Sequence, residues 1–388
     1  MQRECRGGDL SPSQFFVVFH LFSDNFNLYI VLVKRFEYNN ICMSRSVIII
    51  ALCALLLTAC GAYRQDIVSE TRDTAEDKDL IVIGFSQVGA ESDWRKANTE
   101  SMISAFTKDK GYELIYEDAQ QKQQNQITAI RTFIQREVDY IVLAPVTEDG
   151  WDTVLGEAHD AGIPVIIVDR MVAVKNKDLF TCWVGSDFEL EGRKACEWLK
   201  SYLAANDIEP EQVNIVDIQG TEGSSAQLGR TRGLKEAVSA NGWNLLDIRP
   251  GEYTQAKGRE ATAYLLDRHP DINVVYCEND NEAFGAIEAI EAAGKQVGSD
   301  IDSGQIMVMS FDGVSDLAIE YCKNGSISCI GECNPLHGPR VERIISNLEA
   351  GIVPAKYEYV DEDILSGDDT VTNISIDGVT YSVTLLGR

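Results

Sequence analysis

The chain has 388 residues, with 34 Lys and Arg against 61 Asp and Glu, which makes a formal net charge of −27 at pH 7. So acidic a surface repels phosphate backbones, and the composition therefore argues against a nucleic-acid partner. At about 150 residues per domain, the length predicts two domains.

Residues 1–42 are rich in Phe and Tyr and show no domain-like pattern. A well-formed secretory signal starts at Met43, so we interpret residues 1–42 as a non-native upstream extension. A longer membrane-inserted leader is the alternative.

Residues 43–59 have the three parts of a secretory signal: a basic start at Arg45, an apolar run over 47–57 and small residues before a cleavage site. The run ends in Leu-Thr-Ala-Cys, which resembles a bacterial lipobox. In a lipobox the cysteine is lipidated and becomes the first residue of the mature protein. We therefore predict a lipid anchor at Cys60 on the outer face of the cytoplasmic membrane. The alternative, a transmembrane helix, needs about 20 apolar residues, and this run is shorter.

Residues 60–79 are polar, mostly charged and without periodicity, which is typical of a flexible tether.

From residue 80 onward, short apolar runs alternate with amphipathic stretches such as 121–138, where Ile127, Ile130 and Ile134 recur at helical spacing. Runs that are apolar throughout are typical of parallel strands covered on both faces. Predicted strands are 80–85, 112–116, 140–144, 164–168, 213–218, 274–277, 306–310 and 327–330. This rhythm predicts an α/β fold with two doubly wound lobes.

Residues 374–385, centred on Asp377-Gly378, predict a hairpin.

Polar residues follow most of the predicted strands, at the edge where ligands of parallel sheets bind. Many such residues are helix N-caps, and we assign Asp118 and Asp187 to that role. Capping does not explain the pair Asp169-Arg170, since Arg does not cap a helix start, nor the pair Asn279-Asp280.

Six cysteines follow Cys60, and none has zinc-ligand spacing, so we expect no metal and no cofactor. Cys182 and Cys196 flank a predicted strand-to-helix turn and are the best candidates for a disulfide. Buried free thiols are an equally good interpretation.

Several motifs in this region are similar to those of one family. They are GFSQVGAESDWR at 84–95, DAQQKQQNQ at 118–126, IPVIIVDR at 163–170, QGTEGSSA at 219–226 with Arg230, END at 278–280 and SFDG at 310–313. The chain thus resembles the sugar-binding proteins of ABC importers, of the ribose and galactose type, and is most similar to their galactofuranose-binding branch. The resemblance covers about residues 80–350.

The resemblance implies a type I periplasmic binding protein fold, with two Rossmann-like lobes joined by three crossovers. The N-terminal lobe would hold 80–184 and 334–358, and the C-terminal lobe 185–333 and 359–388. Such proteins close on a sugar and deliver it to a permease.

The resemblance also implies a set of ligand-binding residues. Trp94 and Tyr253 would stack on the sugar ring, and the remaining side chains would bind hydroxyl groups: Glu91, Arg95, Asp169, Arg170, Arg230, Asn279, Asp312 and, near the hinge, Glu332. Each has a structural alternative: Trp94 in the core, or Asp169-Arg170 as an ion pair.

The chemistry agrees with a carbohydrate independently of the family. A sugar has apolar C–H faces that suit aromatic rings and a belt of hydroxyl groups that suits Asp, Asn and Arg side chains. Three arginines against a similar number of carboxylates favour a neutral polyol over a phosphate or an amino acid.

Four functions compete. The first is a monomeric, lipid-anchored receptor that delivers a monosaccharide to ABC permease subunits. The second presents the sugar to a membrane sensor kinase. A transcription repressor of the same core would need an N-terminal helix-turn-helix, where this chain has a lipobox. An enzyme would need a catalytic motif, and no Gly-x-Gly-x-x-Gly, Walker loop or Gly-x-Ser-x-Gly follows the first strand.

Overall fold

A computed structural model describes residues 80–387. The predicted extension (1–42), signal (43–59), anchor at Cys60 and tether (60–79) lie outside this range. None of the helices within 80–387 combines the length and the hydropathy needed to cross a membrane.

The first lobe is built on a parallel six-stranded sheet. Its strands are β1 (Ile81–Gln87), β2 (Tyr112–Asp118), β3 (Tyr140–Leu143), β4 (Val165–Val168), β5 (Cys182–Gly185) and β11 (Tyr357–Tyr359), in the spatial order β11-β5-β4-β3-β1-β2. Its helices are α1 (Asp93–Ala105), α2 (Gln123–Gln135), α3 (Asp152–Asp160) and α9 (His337–Glu349).

Both faces of this sheet are covered, as the uninterrupted apolar strands predict. Within β3, Tyr140 and Val142 belong to a core that includes α1 and α9 residues, while Ile141 and Leu143 belong to a second core with α2 and α3. Successive side chains of a strand point to opposite faces of the sheet, and they thus contribute to two separate hydrophobic layers.

The second lobe is built on an eight-stranded mixed sheet. Its strands are β6 (Asn214–Gln219), β7 (Asn244–Pro250), β8 (Val274–Cys277), β9 (Met307–Asp312), β10 (Cys329–Glu332), β12 (Ile364–Ser366), β13 (Asn373–Ile376) and β14 (Val379–Leu385), in the order β13-β14-β12-β10-β9-β8-β6-β7. Its helices are α4 (Phe188–Ala205), α5 (Ser225–Asn241), α6 (Gln255–Arg268), α7 (Asp280–Ala292) and α8 (Asp316–Asn324). The predicted α/β fold with two lobes is confirmed.

The predicted C-terminal hairpin is β13 and β14, at the edge of the second sheet. Its two loop residues, Asp377 and Gly378, have φ values of 50° and 81°. Both values are positive, as the favoured two-residue hairpin turn requires, and Asp-Gly is a preferred sequence for that turn. Strands β5, β7, β11 and β12 were not predicted. Strands β11 and β12 have only three residues each, and β7 is half-buried at a sheet edge.

The chain crosses between the two sheets three times, after β5, after β10 and after β11. A helix start and a loop of the first lobe donate hydrogen bonds to helix starts of the second lobe. The backbone N–H of Asp93 donates to Asn281 Oδ1 at 2.9 Å, and that of Met171 donates to Ser225 Oγ at 2.8 Å. The two lobes are therefore closed on each other.

Of the two interpretations of Cys182 and Cys196, the disulfide is wrong and the buried free thiols are confirmed. Cys182 lies in the core of the first sheet, Cys196 lies in the core of the second, and both are buried free thiols. The cores of two different sheets separate them because the chain leaves the first sheet just after β5. Burial raises the pKa of the Cys182 thiol to about 11.

We predict that neither thiol reacts with a disulfide reagent at pH 7 in the folded protein. A thiolate is the reactive species, and burial keeps both groups protonated and out of reach. Alkylation followed by peptide mapping measures this. Both peptides should carry the label after unfolding without a reductant, whereas a peptide pair linked through Cys182 and Cys196 would contradict the structure.

Candidate functional site

A cleft lies between the carboxyl ends of the two sheets, where ligands of parallel sheets bind. Nine of the ten residues predicted to bind a ligand line this single cleft: Glu91, Trp94, Arg95, Asp169, Arg170, Arg230, Tyr253, Asn279 and Asp312. The structure brings them together, and their contact with a ligand stays a prediction.

Glu91 joins two arginines on the side of the first lobe. Its Oε1 accepts from Arg170 Nη2 at 2.5 Å and from Arg95 Nη2 at 3.4 Å. Arg95 lies in the first turn of α1, where its backbone N–H donates to the N-cap Ser92. All three charged side chains are at most 3% exposed, so this helix start holds a dry cluster of charges.

Asp169 follows β4 directly and pairs with Arg95, with 2.7 Å between Oδ2 and Nη2. Burial acts to raise the pKa of Asp169, but the charges of Arg95 and Arg170 outweigh it and the pKa is lowered. Asp169 is therefore an ionised carboxylate at neutral pH, and only an acceptor of hydrogen bonds.

Arg230, on α5, holds the second-lobe side of the cleft. Its Nε donates to Glu191 Oε2 at 2.8 Å, its Nη2 lies 3.5 Å from Asp312 Oδ1, and its Nη1 donates to the backbone oxygen of Glu278. The guanidinium is 3% exposed. Burial raises the pKa of Asp312 well above its usual range, although the charge of Arg230 opposes this.

Three cleft residues have a left-handed backbone: Asp169, Tyr253 and Asp312, with φ of 61°, 59° and 98°. Each such residue costs roughly 1–3 kcal/mol and persists only where its surroundings fix it. The oxygen of Asp169 accepts from Trp183 Nε1, and the backbone N–H of Tyr253 donates to Glu282 Oε1. The oxygen of Asp312 accepts from the backbone N–H of Cys333 at 3.1 Å. Each of the three backbones is thus held by a hydrogen bond, and all three residues line the same cleft.

Aromatic rings form the remaining wall. Trp94, Phe188 and Tyr253 make a small apolar cluster that includes residues of both lobes. The guanidinium carbon of Arg95 lies 4.6 Å from the centre of the Trp94 ring, and that of Arg170 lies 4.9 Å from the Tyr253 ring. Gly220, at the end of β6, makes room for the Tyr253 ring, since a Cβ there would fall 1.8 Å from it.

Asn279 needs a partial correction, because it does cap a helix. Its Oδ1 accepts from the backbone N–H of Glu282 at the start of α7, and its Nδ2 donates to the oxygen of Tyr253 at 3.2 Å. Both ends of the amide are thus engaged within the protein. Asn279 lines the cleft and holds Tyr253 in position. Of the two predicted caps, Asp187 does cap α4, whereas Asp118 bonds the backbone of Gln120 in a turn.

Glu332 lies elsewhere, at the end of β10 beside the crossovers. Its Oε2 accepts from the backbone N–H of Asp363, and it lines a separate small cavity with Glu362 and Lys194. Its successor Cys333 lines the cleft instead, since neighbouring residues of an extended chain point to opposite sides. The structure thus places Glu332 outside the cleft that the other nine candidates line, and its role toward a ligand stays a prediction.

Sequence reasoning missed Phe188 and Glu191, both in the first turn of α4. Phe188 lines the cleft and Glu191 pairs with Arg230. The recognised cap Asp187 was a usable signal, because it aims the first turn of that helix at the end of the sheet. Glu191 carried no signal of its own, since the helix dipole favours acidic residues near any helix start.

Among residues 80–387, the one group suited by distance to a metal ion is Glu191, Cys333 and Glu362, whose ligand atoms lie within 4.8 Å of one another. Arg230 contacts Glu191 directly, and a guanidinium in that position repels a divalent cation. One oxygen of Glu191 is already paired with a cation, and the group therefore fits a shared proton better than a metal ion.

Comparison with known proteins agrees with this geometry. A family model described as a periplasmic binding protein domain matches residues 83–335. The galactofuranose-binding protein YtfQ of Escherichia coli is 38% identical over 282 residues, which cover 71% of this chain and 85% of that protein.

Two solved structures are also similar. A Mycobacterium smegmatis protein in complex with β-D-fucofuranose has a TM-score of 0.70 and 37% identity, with 75% of this chain and 93% of that chain covered. The periplasmic binding protein component of the arabinose ABC transporter from Shewanella sp. ANA-3, bound to α- and β-L-arabinofuranose, has a TM-score of 0.67 and 36% identity, with 74% and 93% covered.

We predict that Glu91→Ala lowers the free energy of unfolding by about 3–5 kcal/mol, because two buried guanidiniums lose the carboxylate that they share. Chemical denaturation at pH 7 measures this. The matched control is Glu157→Ala, which breaks an exposed ion pair with Arg131 and should cost at most about 1 kcal/mol. Equal losses for both variants would contradict the argument.

Proposed function

Because the chain belongs to the periplasmic binding protein family, we propose that it is a sugar-binding protein of an ABC importer, with a furanose as its ligand. It binds the sugar outside the cytoplasm and releases it unaltered.

The observation that carries this proposal is the charge balance of the cleft. Three arginines line it, and each pairs with a buried carboxylate of the protein: Arg95 with Asp169, Arg170 with Glu91 and Arg230 with Glu191. An anionic ligand that paired with one of these arginines would leave its carboxylate unpaired, and a cationic ligand that paired with a carboxylate would leave an arginine unpaired. A neutral ligand leaves these pairs intact and adds hydrogen bonds to them.

The cleft also has unused hydrogen-bonding capacity of the right kind. Glu91 Oε2 is buried and has no donor among the described residues. A hydroxyl group both donates and accepts, so it can satisfy a carboxylate and an adjacent guanidinium together. Each bond of this kind contributes about 1.5–3 kcal/mol. Trp94, Phe188 and Tyr253 supply the flat apolar surfaces that the C–H faces of a sugar need.

The relatives favour the five-membered ring form. YtfQ is named for galactofuranose, and the Mycobacterium and Shewanella structures hold fucofuranose and arabinofuranose. All three share more than a third of their aligned residues with this chain. The Shewanella protein is a transporter component, which favours a permease over a sensor kinase as the partner.

Binding is tested by calorimetry at pH 7 with D-galactose, D-fucose, L-arabinose and D-ribose. We expect micromolar binding, about −8 kcal/mol, of at least one of these sugars. The ring form is read from the carbon-13 NMR spectrum of the bound sugar, which should report a furanose. Binding of amino acids or sugar phosphates in place of sugars would contradict the function, and a bound pyranose would contradict its furanose part.

The matched variants for this experiment are Arg170→Ala and Arg131→Ala. Arg170 joins Glu91 to the Tyr253 ring across the cleft, so its loss should weaken binding at least ~30-fold, or about 2 kcal/mol. Arg131 is exposed on α2 and should leave the affinity unchanged. Undiminished affinity of Arg170→Ala would remove this residue from the site.

The lipid anchor at Cys60 is part of the same proposal, supported by the Leu-Thr-Ala-Cys motif. A thioether-linked diacylglycerol plus an N-acyl chain meets the need of stable anchoring for more than one chain. We expect the full chain, expressed in a bacterium, to incorporate labelled palmitate and to sediment with membranes. Cys60→Ser should abolish both and Cys53→Ser neither. Labelling that survives Cys60→Ser would contradict the anchor.

A further inference from the structure

The three crossovers between the lobes meet at the side chain of Glu362, which lies on the third. Ser186, on the first crossover, donates from Oγ to Glu362 Oε1 at 2.8 Å. The backbone N–H of Asn334, on the second, donates to the same oxygen at 2.6 Å. Glu362 is 5% exposed. One buried carboxyl group thus ties all three connections together.

A second buried carboxyl, that of Glu191 on α4, lies beside the first. Its Oε2 accepts from Arg230 Nε, whereas its Oε1 is buried and has no hydrogen-bond donor among the described residues. One oxygen of Glu191, one oxygen of Glu362 and the Cys333 sulfur all lie within 4.8 Å of one another. Two ionised carboxylates in this position would repel strongly, so the pair holds a proton.

The surroundings of the pair favour the proton on Glu362. Burial raises its pKa to about 9, with the charge of Glu191 as the second cause. Lys194 donates from Nζ to the backbone oxygen of Glu362 rather than to its carboxyl group. Burial raises the pKa of the Cys333 thiol well above its usual range, so that this group is neutral. The charge of Arg340 also faces Glu362, from α9.

Arg230 pairs directly with Glu191, and this ion pair links the hinge to the cleft. The same guanidinium reaches Asp312 in the cleft wall. A displacement of Glu191 therefore also displaces the Arg230 guanidinium, which lines the cleft.

We propose that Glu362 is a positioning residue for the sugar site: it donates a hydrogen bond from its protonated carboxyl to Glu191, and Glu191 in turn holds Arg230 against the cleft. This rests on the proposed sugar-binding function. Loss of the proton places two negative charges side by side at the point where the crossovers meet. The repulsion separates Glu191 from Glu362 and displaces Arg230.

The sign of the pH effect follows from the direction of the pKa shift. The closed protein keeps a proton on Glu362 that the unfolded chain loses near pH 4.5. The contribution of this group to stability is complete below that pH and declines as the pH rises toward about 9. Sugar affinity stays constant while the proton is bound and falls as the pH rises through about 9.

The test is the pH profile of D-galactose binding, a sugar whose solution equilibrium includes the furanose form. We expect the wild-type affinity to be level from pH 6 to pH 8 and then to fall by up to about tenfold per pH unit. Glu362→Gln keeps a donor toward Glu191 and an acceptor for Ser186 but does not ionise. Its affinity should stay within about threefold of wild type at pH 7, and its profile should remain level where that of the wild type falls.

Two further variants separate positioning from structure. Glu362→Ala should bind weakly at every pH, since it lacks the donor, and Glu157→Gln, at an exposed carboxyl, should retain the wild-type profile. A parallel decline in wild type and Glu362→Gln would overturn the proposal, as would a level wild-type profile. A change of affinity on adding EDTA would assign the cluster to a metal ion and overturn it as well.

An infrared difference spectrum tests whether the Glu362 carboxyl is protonated, and it needs no sugar. The carbonyl band of a protonated carboxylic acid should be present at pH 7.5 in wild type and reduced in Glu362→Gln. If the wild type binds no sugar at pH 7, the proposed function fails, whereas the infrared difference still accepts or rejects a protonated Glu362.

Discussion

The burial of three guanidinium groups is the constraint on which the rest of this structure depends. Arg95, Arg170 and Arg230 are each almost fully removed from water. The penalty for removing an ion from water is several kcal/mol even after relaxation, and it is offset only by close pairing and well-directed hydrogen bonds. Carboxylates must therefore converge on the same place, and Glu91 and Glu191 do so from the loop after β1 and from the first turn of α4.

Convergence of this kind is what two parallel sheets facing each other provide. The residues that follow their strands meet at one edge, where helix starts also point. Asp169, Tyr253 and Asp312 reach the cleft only through left-handed backbone conformations. The backbones beside them are buried and hydrogen-bonded, so that the cost of the strain is met by the scaffold rather than by the ligand.

The hinge uses the same chemistry on the other side of Arg230. Glu362 gathers the three crossovers, and Glu191 stands between it and the guanidinium. A hinge made only of chain connections would leave closure uncoupled from the cleft. A pair of carboxyl groups with one proton makes the position of Arg230 depend on the geometry of the crossovers.

Much of the fold was predictable because its signals are local. Uninterrupted apolar runs identified the central strands, and Asp377-Gly378 identified the hairpin. The half-buried edge strand β7 and the very short β11 and β12 were missed because neither pattern nor length sets them apart from loops. The sequence left a disulfide and two free thiols equally open for Cys182 and Cys196, since a crossover that sends them to different cores has no local signature.

The sequence by itself determined the α/β class, the acidic character and which strand ends carry polar side chains, because these follow from residue type and spacing along one chain. Only the tertiary structure decided which carboxylate meets which arginine. It placed Glu332 outside the cleft, brought Glu191 to Arg230 and brought Glu362 within 4.8 Å of Glu191, since each of these contacts links residues far apart in sequence. Such contacts depend on how the two sheets pack, which the local propensity of residues along the chain does not predict.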